Sequence, residues 1–324
     1  MSSAKEQAAA RETFVPAQTE HVPVSMASSH RKNWRFWIGA CFAIVLLAAF
    51  GKPLLTLVNY AAGSQLYSYI LLIPFVSAYL LYLRRDRLPK KYVADLPLAI
   101  VVLTAGLCVA AFRYCLDFAG RAPEGNLYHV LSTISFLCCL AAGGFFFLGR
   151  GWMRAAAFPL AYLIFMVPMP DAMANALETA SKYASAEVAN VFFRLSSTPF
   201  LREGLVFQLP NITIQVAQEC SGIRSSWILF ITSILAANLF LKTPWRRLVL
   251  VALVIPLAIL RNGFRIFVIG LLCVNAGPQM INSLIHRRGG PFFFVLSLIP
   301  LLLLLWWLHR GEVRTRTVDL RRAS

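Results

Sequence analysis

The ten residues from Gln218 to Trp227, QECSGIRSSW, set a carboxylate, a thiol, a glycine and a guanidinium directly before an apolar run, WILFITSILAANLFL. A thiol at the entry to a helix faces amide groups that have no intrahelical acceptor. Together with the helix dipole they favour the thiolate, so Cys220 is placed to act as a nucleophile. Gly222 lets a second backbone or a substrate approach closely. Arg224 adds positive charge, or reaches toward lipid headgroups from one turn into the helix. A Glu219 carboxylate turned toward the sulfur would oppose ionisation, so Glu219 suits an orienting or structural role, and Ser221 joins it in the supporting set. The plain alternative is a cysteine that merely packs at an interface.

A second run, PLAILRNGFRIFVIGLL, carries Arg261, Asn262 and Arg265 inside otherwise apolar sequence. An arginine at the centre of a membrane helix costs about 2.5–3.5 kcal/mol on insertion scales, and such charges face a bundle interior or a water-filled cavity. Arg261 and Arg265, four apart, share a helical face, and Asn262 lies on the same side. Their mutual repulsion argues for an anionic group, or a carbonyl developing negative charge, between them. A structural arginine capping carbonyls of a neighbouring helix is the alternative, and it suits Arg261 better. A third stretch, LIHRRGGPFFF, puts His286 ahead of Gly289, Gly290 and Pro291, which read as a flexible loop corner before the next apolar run. An imidazole beside a thiol can take its proton, and a guanidinium can stabilise the oxyanion formed on a carbonyl. His21 and His30 lie near the N-terminus, His309 at the other end of the last apolar run, and His129 follows no comparable motif.

These groups need elements to bring them together. The chain has 324 residues, 58% hydrophobic and 14% charged, with a mean hydropathy of +0.65, a composition that predicts an all-α polytopic membrane protein. The formal charge of +17 falls in short clusters between apolar runs, which points to membrane topogenesis and away from nucleic acid. The seven cysteines show neither a disulfide framework nor a zinc pattern, and no metal or other cofactor is implied. Cys41, Cys108, Cys138, Cys139 and Cys273 sit in apolar runs as small packing residues. Residues 1–32 are polar, lack an apolar signal core, and read as a disordered cytoplasmic leader.

About eight apolar runs approach the ~20 residues that a spanning helix needs: Trp34–Phe50, Tyr67–Leu83, Leu96–Tyr114, Leu127–Leu148, Ala155–Pro168, Ile223–Leu241, Leu248–Leu272 and Phe292–Leu308. The fifth is short and rich in proline. With both termini inside, the cytoplasmic connections hold Arg84, Arg85, Arg87, Lys90 and Lys91, then Arg150 and Arg154, then Lys242, Arg246 and Arg247. The tails add Lys5, Arg11, Arg31, Lys32, Arg35, Arg310, Arg314, Arg316, Arg321 and Arg322. That places 20 of the 31 basic residues on one side. The longest connection, about Met169 to Ser221, then lies outside. Its first half, DAMANALETASKYASAEVANVFFRL, reads as an amphipathic interfacial helix. In its second half, LVFQL and ITIQV alternate around Pro210-Asn211 as a β-hairpin leading into Cys220.

The ordered set ECSGIRS around Cys220, NGFR ending at Arg265 and HRRGG from His286 resembles the exosortase/archaeosortase family of membrane-embedded cysteine transpeptidases. The resemblance covers about residues 40 to 308. It implies Cys220 as nucleophile, Arg265 as the essential arginine and His286 as the basic partner. Glu219, Ser221, Gly222, Arg224, Arg261, Asn262 and Gly290 would be supporting residues. It implies an integral membrane domain over 33–309 and a basic cytoplasmic tail over 310–324, in the plasma (inner) membrane, with the site on the periplasmic side. The implied substrates are secreted proteins with a C-terminal sorting motif of the PEP-CTERM kind, a transmembrane helix and a basic cluster, cleaved through a thioester. The acyl acceptor, water or an amine or hydroxyl, is left open.

Two other readings fit parts of the pattern. A transporter or channel would use the intramembrane arginines to bind an anion, with the proline-broken fifth run as a discontinuous helix. An envelope scaffold would leave Cys220 inert or palmitoylated. No internal repeat accompanies the broken run.

Overall fold

The computed structural model describes residues 26–64, 66–89, 92–120, 125–210, 212–216, 222–277, 279 and 284–323. The chain divides into two units, 1–45 and 46–324. Within the first, the described residues belong to helix α1, Met26–Ala49, which begins inside the segment expected as a disordered leader. The rest of that segment lies outside the described residues.

The second unit continues with α2 (Gly51–Gly63), a 3-10 turn at Ser68–Leu72, α3 (Ile73–Leu83), α4 (Leu96–Phe118) and α5 (Leu127–Phe147). Short helices α6 (Gly149–Ala155) and α7 (Ala157–Tyr162) lead through a 3-10 turn to α8 (Asp171–Leu195). Three strands follow, β1 (Leu201–Glu203), β2 (Val206–Leu209) and β3 (Ile212–Gln215), and then α9 (Ile223–Phe240), α10 (Pro244–Ala276) and α11 (Leu284–Ala323).

Among the described residues, five helices are long and apolar enough to cross a membrane, or seven if each of two bent pairs counts as one span. The chain is thus a mostly helical polytopic membrane protein, with five to seven candidate spans among the described residues. Of the eight expected runs, three lie outside those five, and the first, Trp34–Phe50, enters only as part of a bent pair. Tyr67–Leu83 forms the shorter apolar helix Ser68–Leu83, whose 3-10 start leaves it below the length that covers a bilayer. The fifth run turns by 87° between Ala157–Met166 and Asp171–Leu195, because prolines at 168 and 170 cannot donate to a continuing helix.

Local sequence explains the element ends that matter here. The Asp95 carboxylate accepts from the Leu98 amide at the start of α4, a side-chain N-cap. Pro244 opens α10 in the first turn, where no amide donor is needed, and the Glu312 carboxylate accepts from the Lys242 and Thr243 amides just before it. Pro256 sits within α10 without ending it, as is tolerated in membrane helices.

The strands form one antiparallel sheet in the order β1-β2-β3. The register pairs Phe207 with Ile214 and Leu209 with Ile212 around Pro210, and Asn211 lies outside the described residues. Alternation turns Phe207, Leu209, Ile214 and Val216 into a buried cluster with Ala186, Ala189 and Phe193 of α8 and Ile266 of α10. That cluster shows what the apolar stripe of the expected amphipathic helix, α8, packs against. Its second half packs along the second half of α10, in the same chain sense. Two glycines make the approach possible: a β-carbon on Gly263 would fall 2.5 Å from Val188, and one on Gly270 would fall 2.5 Å from Phe193.

Candidate active site

Helix α9 starts on Gly222, whose backbone is left-handed at φ 66°, a conformation glycine adopts without steric cost. The Gly222 carbonyl gathers several donors: the Ser226 amide at 3.0 Å, Ser225 Oγ at 3.0 Å, Ser226 Oγ at 2.8 Å and Arg261 Nη2 at 3.3 Å. Arg261 Nη2 also donates to Ser226 Oγ at 3.1 Å. The first turn of α9 is therefore tied to α10 by the guanidinium of an arginine that is only 7% exposed. Its Nη1 is buried with no hydrogen-bond partner among the described residues.

Asn262, the next residue of α10, is buried and donates from Nδ2 to Ser185 Oγ of α8 at 3.0 Å. Its Oδ1 faces Gly222, where a β-carbon would stand 2.8 Å from that oxygen. Three elements thus converge on one glycine: α8 through Ser185, α9 through its own start, and α10 through Arg261 and Asn262. On the other flank, Trp227 Nε1 donates to Tyr69 Oη at 2.9 Å, fastening the same turn of α9 to the Ser68–Leu72 turn.

Arg265 lies one turn beyond Arg261 on α10 and is half-buried, while Arg224 is exposed on the first turn of α9. Glu219, Cys220 and Ser221 lie outside the described residues; in sequence they run directly into Gly222. His286 and Gly290 both fall on the α11 backbone, which is helical from Leu284. This corrects the expected loop corner around Gly289, Gly290 and Pro291. Near lipid, a helix satisfies its own amides and carbonyls, which outweighs the breaking tendency of Gly-Gly-Pro. The His286 side chain lies outside the described residues.

Helix register sets the height of α11 beside α9. At one end His309 Nδ1 lies 3.0 Å from the Phe240 carbonyl, and further back along both helices Leu301 and Leu305 share a buried cluster with Leu229 and Ala237, so the two helices run in the same direction. Gly222 is ~27 Å back from Phe240 and His286 is ~34 Å back from His309 at 1.5 Å per residue. The His286 backbone is therefore within ~7 Å of the level of Gly222.

Depth along α10 bears on the cost of Arg261 and Arg265. α10 has 33 residues, ~50 Å, against a hydrocarbon core of ~30 Å. Arg261 is ~26 Å from Pro244, so it and Arg265 sit near the far boundary of a bilayer entered at Pro244. That placement lowers the cost of burying them.

The sequence did not single out Ser185, Ser226 or the residues that hold α8 at its start. Asn126 is buried there, donating to the Met169 carbonyl at 2.6 Å and to Tyr67 Oη at 3.2 Å. Its own amide donates to Asp171, and the Asp171 amide donates back to Asn126 Oδ1. Tyr67 donates to the same Met169 carbonyl. Only the polar Asn126 opening an apolar run, and Asp171 following a proline, could have marked this lock.

Residues 60–303 match the family described as transmembrane exosortase (Exosortase_EpsH). No curated protein matches the chain, and no solved structure does.

Proposed function

Because the chain belongs to the transmembrane exosortase family, a group of sorting-related membrane enzymes, we propose that it is a cysteine protease or transpeptidase of secreted proteins. Its substrates carry a C-terminal tail of sorting motif, transmembrane helix and basic cluster. The tail's helix lies in the bilayer beside the bundle, and its scissile peptide reaches the periplasmic boundary at the start of α9. The protein sits in the inner membrane with both termini in the cytoplasm.

The observation that carries this reading is the bond from Arg261 to Gly222. It fixes α10, with Arg265 one turn further along, against the backbone two residues after Cys220. In the reaction, the Cys220 thiolate attacks the scissile carbonyl carbon, forming the C–S bond, and the carbonyl electron pair moves to oxygen. Arg265 stabilises that oxyanion. Collapse breaks the C–N bond, the leaving amine takes the proton that His286 holds from the thiol, and a thioester remains. Water, or an amine or hydroxyl, then attacks the thioester, gives up its proton to His286 and releases Cys220. The supporting roles fall to Gly222, Ser221 and Glu219 beside the nucleophile, Arg261 and Asn262 on α10, and Gly290 beneath His286. Arg224 faces the headgroups.

The test is a sorting-tail substrate presented to the reconstituted enzyme with His286 replaced. A covalent tail adduct on Cys220, absent from Cys220→Ala, is the expected result. Normal tail processing by Cys220→Ala would overturn the assignment of Cys220 as the nucleophile.

A further inference from the structure

At the end of α9 opposite Gly222, three arginines from two distant stretches of chain meet without a carboxylate. Arg84 closes α3, Arg87 follows in the 3-10 turn Arg85–Arg87, and Arg247 lies in the first turn of α10. The Arg87 amide donates to the Arg84 carbonyl at 2.9 Å, and Arg84 and Arg247 are anchored three residues apart at the end of α9, on Asn238 and Leu241, so the three share one patch. Burial, and after it the positive charges of Arg87 and Arg247, lower the Arg84 guanidinium from its ordinary value. Arg84 Nη2 donates to Asn238 Oδ1 at 2.6 Å, and the guanidinium lies 5.6 Å from the centre of the Phe158 ring. Arg247 Nε donates to the Leu241 carbonyl at 2.8 Å. Each of these two guanidiniums has five N–H donors, so both keep several to offer.

The acidic groups nearby are engaged elsewhere. Asp86 pairs with Arg85 at 3.8 Å, and Glu312 caps the amides before α10. Among the described residues, no carboxylate lies within ion-pair distance of Arg84, Arg87 or Arg247. Capping the carbonyl end of α9 needs one cation, and Arg247 already donates to the Leu241 carbonyl there. Three guanidiniums repelling one another exceed that need.

The flanks of the patch are apolar and exposed. Tyr82 and Leu83 precede Arg84, Leu239 and Phe240 surround the Asn238–Leu241 anchor points, and Leu248 follows Arg247, all of them open on the outside of the bundle. Trp245 and Trp306, also exposed, stand near the ends of α10 and the apolar part of α11, as aromatic residues do at a membrane–water boundary. Guanidiniums at a boundary above exposed apolar side chains match an amphiphile whose head is a phosphate and whose tail is hydrocarbon.

We propose that this patch binds an anionic phospholipid, with its headgroup phosphate held among Arg84, Arg87 and Arg247 and its acyl chains along Tyr82, Leu239, Phe240 and Leu248. This site stands apart from the catalytic reading and does not depend on it. Free phosphate would use the arginines and leave the apolar flank uncovered, which separates the two sources experimentally.

The full chain, purified in detergent, is titrated with phosphatidylglycerol, with phosphatidylcholine of the same acyl chains, and with inorganic phosphate. Lipid retention is read by native mass spectrometry and stability by thermal unfolding. Phosphatidylglycerol is expected to be retained and to raise the midpoint beyond the other two. Arg87→Glu, at an exposed residue, and Arg247→Gln should each weaken retention, by about fivefold for each charge removed. Arg194→Glu, exposed on α8, should leave retention unchanged. If Arg247→Gln fails to fold, Arg87→Glu alone decides. Equal retention of the two lipids, equal stabilisation by inorganic phosphate, or equal loss in Arg194→Glu would overturn the proposal.

Discussion

Arg261 Nη2 of α10 lies 3.3 Å from the carbonyl oxygen of Gly222, the residue on which α9 begins. This contact joins two regions that are 39 residues apart, and it does so at a backbone position with a left-handed conformation. A rigid start to α9 matters because whatever precedes Gly222 inherits its direction. Arg261, costly inside an apolar run, therefore has a mechanical use in tying α10 to the start of α9.

Replacing Gly222 by alanine should damage the site more than the small change in volume suggests. Alanine at φ 66° carries a strain of about 1–2 kcal/mol, and its β-carbon would press on Asn262 Oδ1 at 2.8 Å. Turnover of a sorting tail is expected to fall steeply while membrane insertion is retained. Asn262→Ala in the same chain should relieve the contact without relieving the strain, so rescue should be partial. Full rescue would show that the backbone conformation is dispensable.

Arg261 and Arg265 should respond differently to lysine. A lysine at 265 keeps the charge and loses the planar donor fork, and removal of one oxyanion donor typically costs about 10²–10³ in kcat. Arg261→Lys loses the simultaneous bonds to Gly222 and Ser226, so thermal stability should fall together with turnover. Single-turnover kinetics on a tail substrate, set beside unfolding midpoints, distinguishes the two. If Arg265→Lys works at the parental rate, the guanidinium is not an oxyanion donor.

How much of this was legible in the sequence depends on the kind of signal. Apolar period and length marked α4, α5, α9 and α10 because a bilayer imposes both. The alternation of LVFQL and ITIQV matched β2 and β3 because one face of the sheet is buried on Phe193. The placement of α8 was not legible. Its apolar stripe suits a lipid surface and a helix partner equally well, and the deciding residues, Gly263 and Gly270, act by lacking a side chain. The Asn262–Ser185 bond was hidden for a similar reason, since a serine among alanines carries no periodic signature. The continuation of α11 through Gly-Gly-Pro was missed because turn propensities describe chains in water.

Those two glycines provide a stability test. Gly263→Ala would drive a β-carbon into Val188 and the Ser185 backbone, and Gly270→Ala into Phe193 and Leu209. Overpacking of this kind costs about 1–3 kcal/mol. Both variants should unfold at lower temperature than the parent, whereas Gly51→Ala, with open space around its β-carbon, should not. Unchanged midpoints at both 263 and 270 would mean that α8 can move away from α10 freely.

The lock at the start of α8 leads to the last prediction. Asn126 serves the Met169 carbonyl, the Tyr67 hydroxyl and the Asp171 amide at once, so truncation to alanine removes three bonds and leaves the Asp171 amide without its acceptor, while Tyr67 still donates to Met169. An unsatisfied buried group costs about 1–3 kcal/mol. Tyr67→Phe is milder, because the Met169 carbonyl keeps its bond from Asn126. Asn126→Ala should therefore expose the 167–170 bend to proteases before the rest of the chain unfolds, and Tyr67→Phe should do so only weakly. Because α8 carries Ser185 to Asn262, loosening its first turn should also lower turnover in the same order, Asn126→Ala below Tyr67→Phe below the parent. Limited proteolysis and tail processing measured on the same preparations check both halves. If the bend becomes sensitive while turnover stays at the parental level, α8 is held at the site by its packing on Gly263 and Gly270, independently of how it begins.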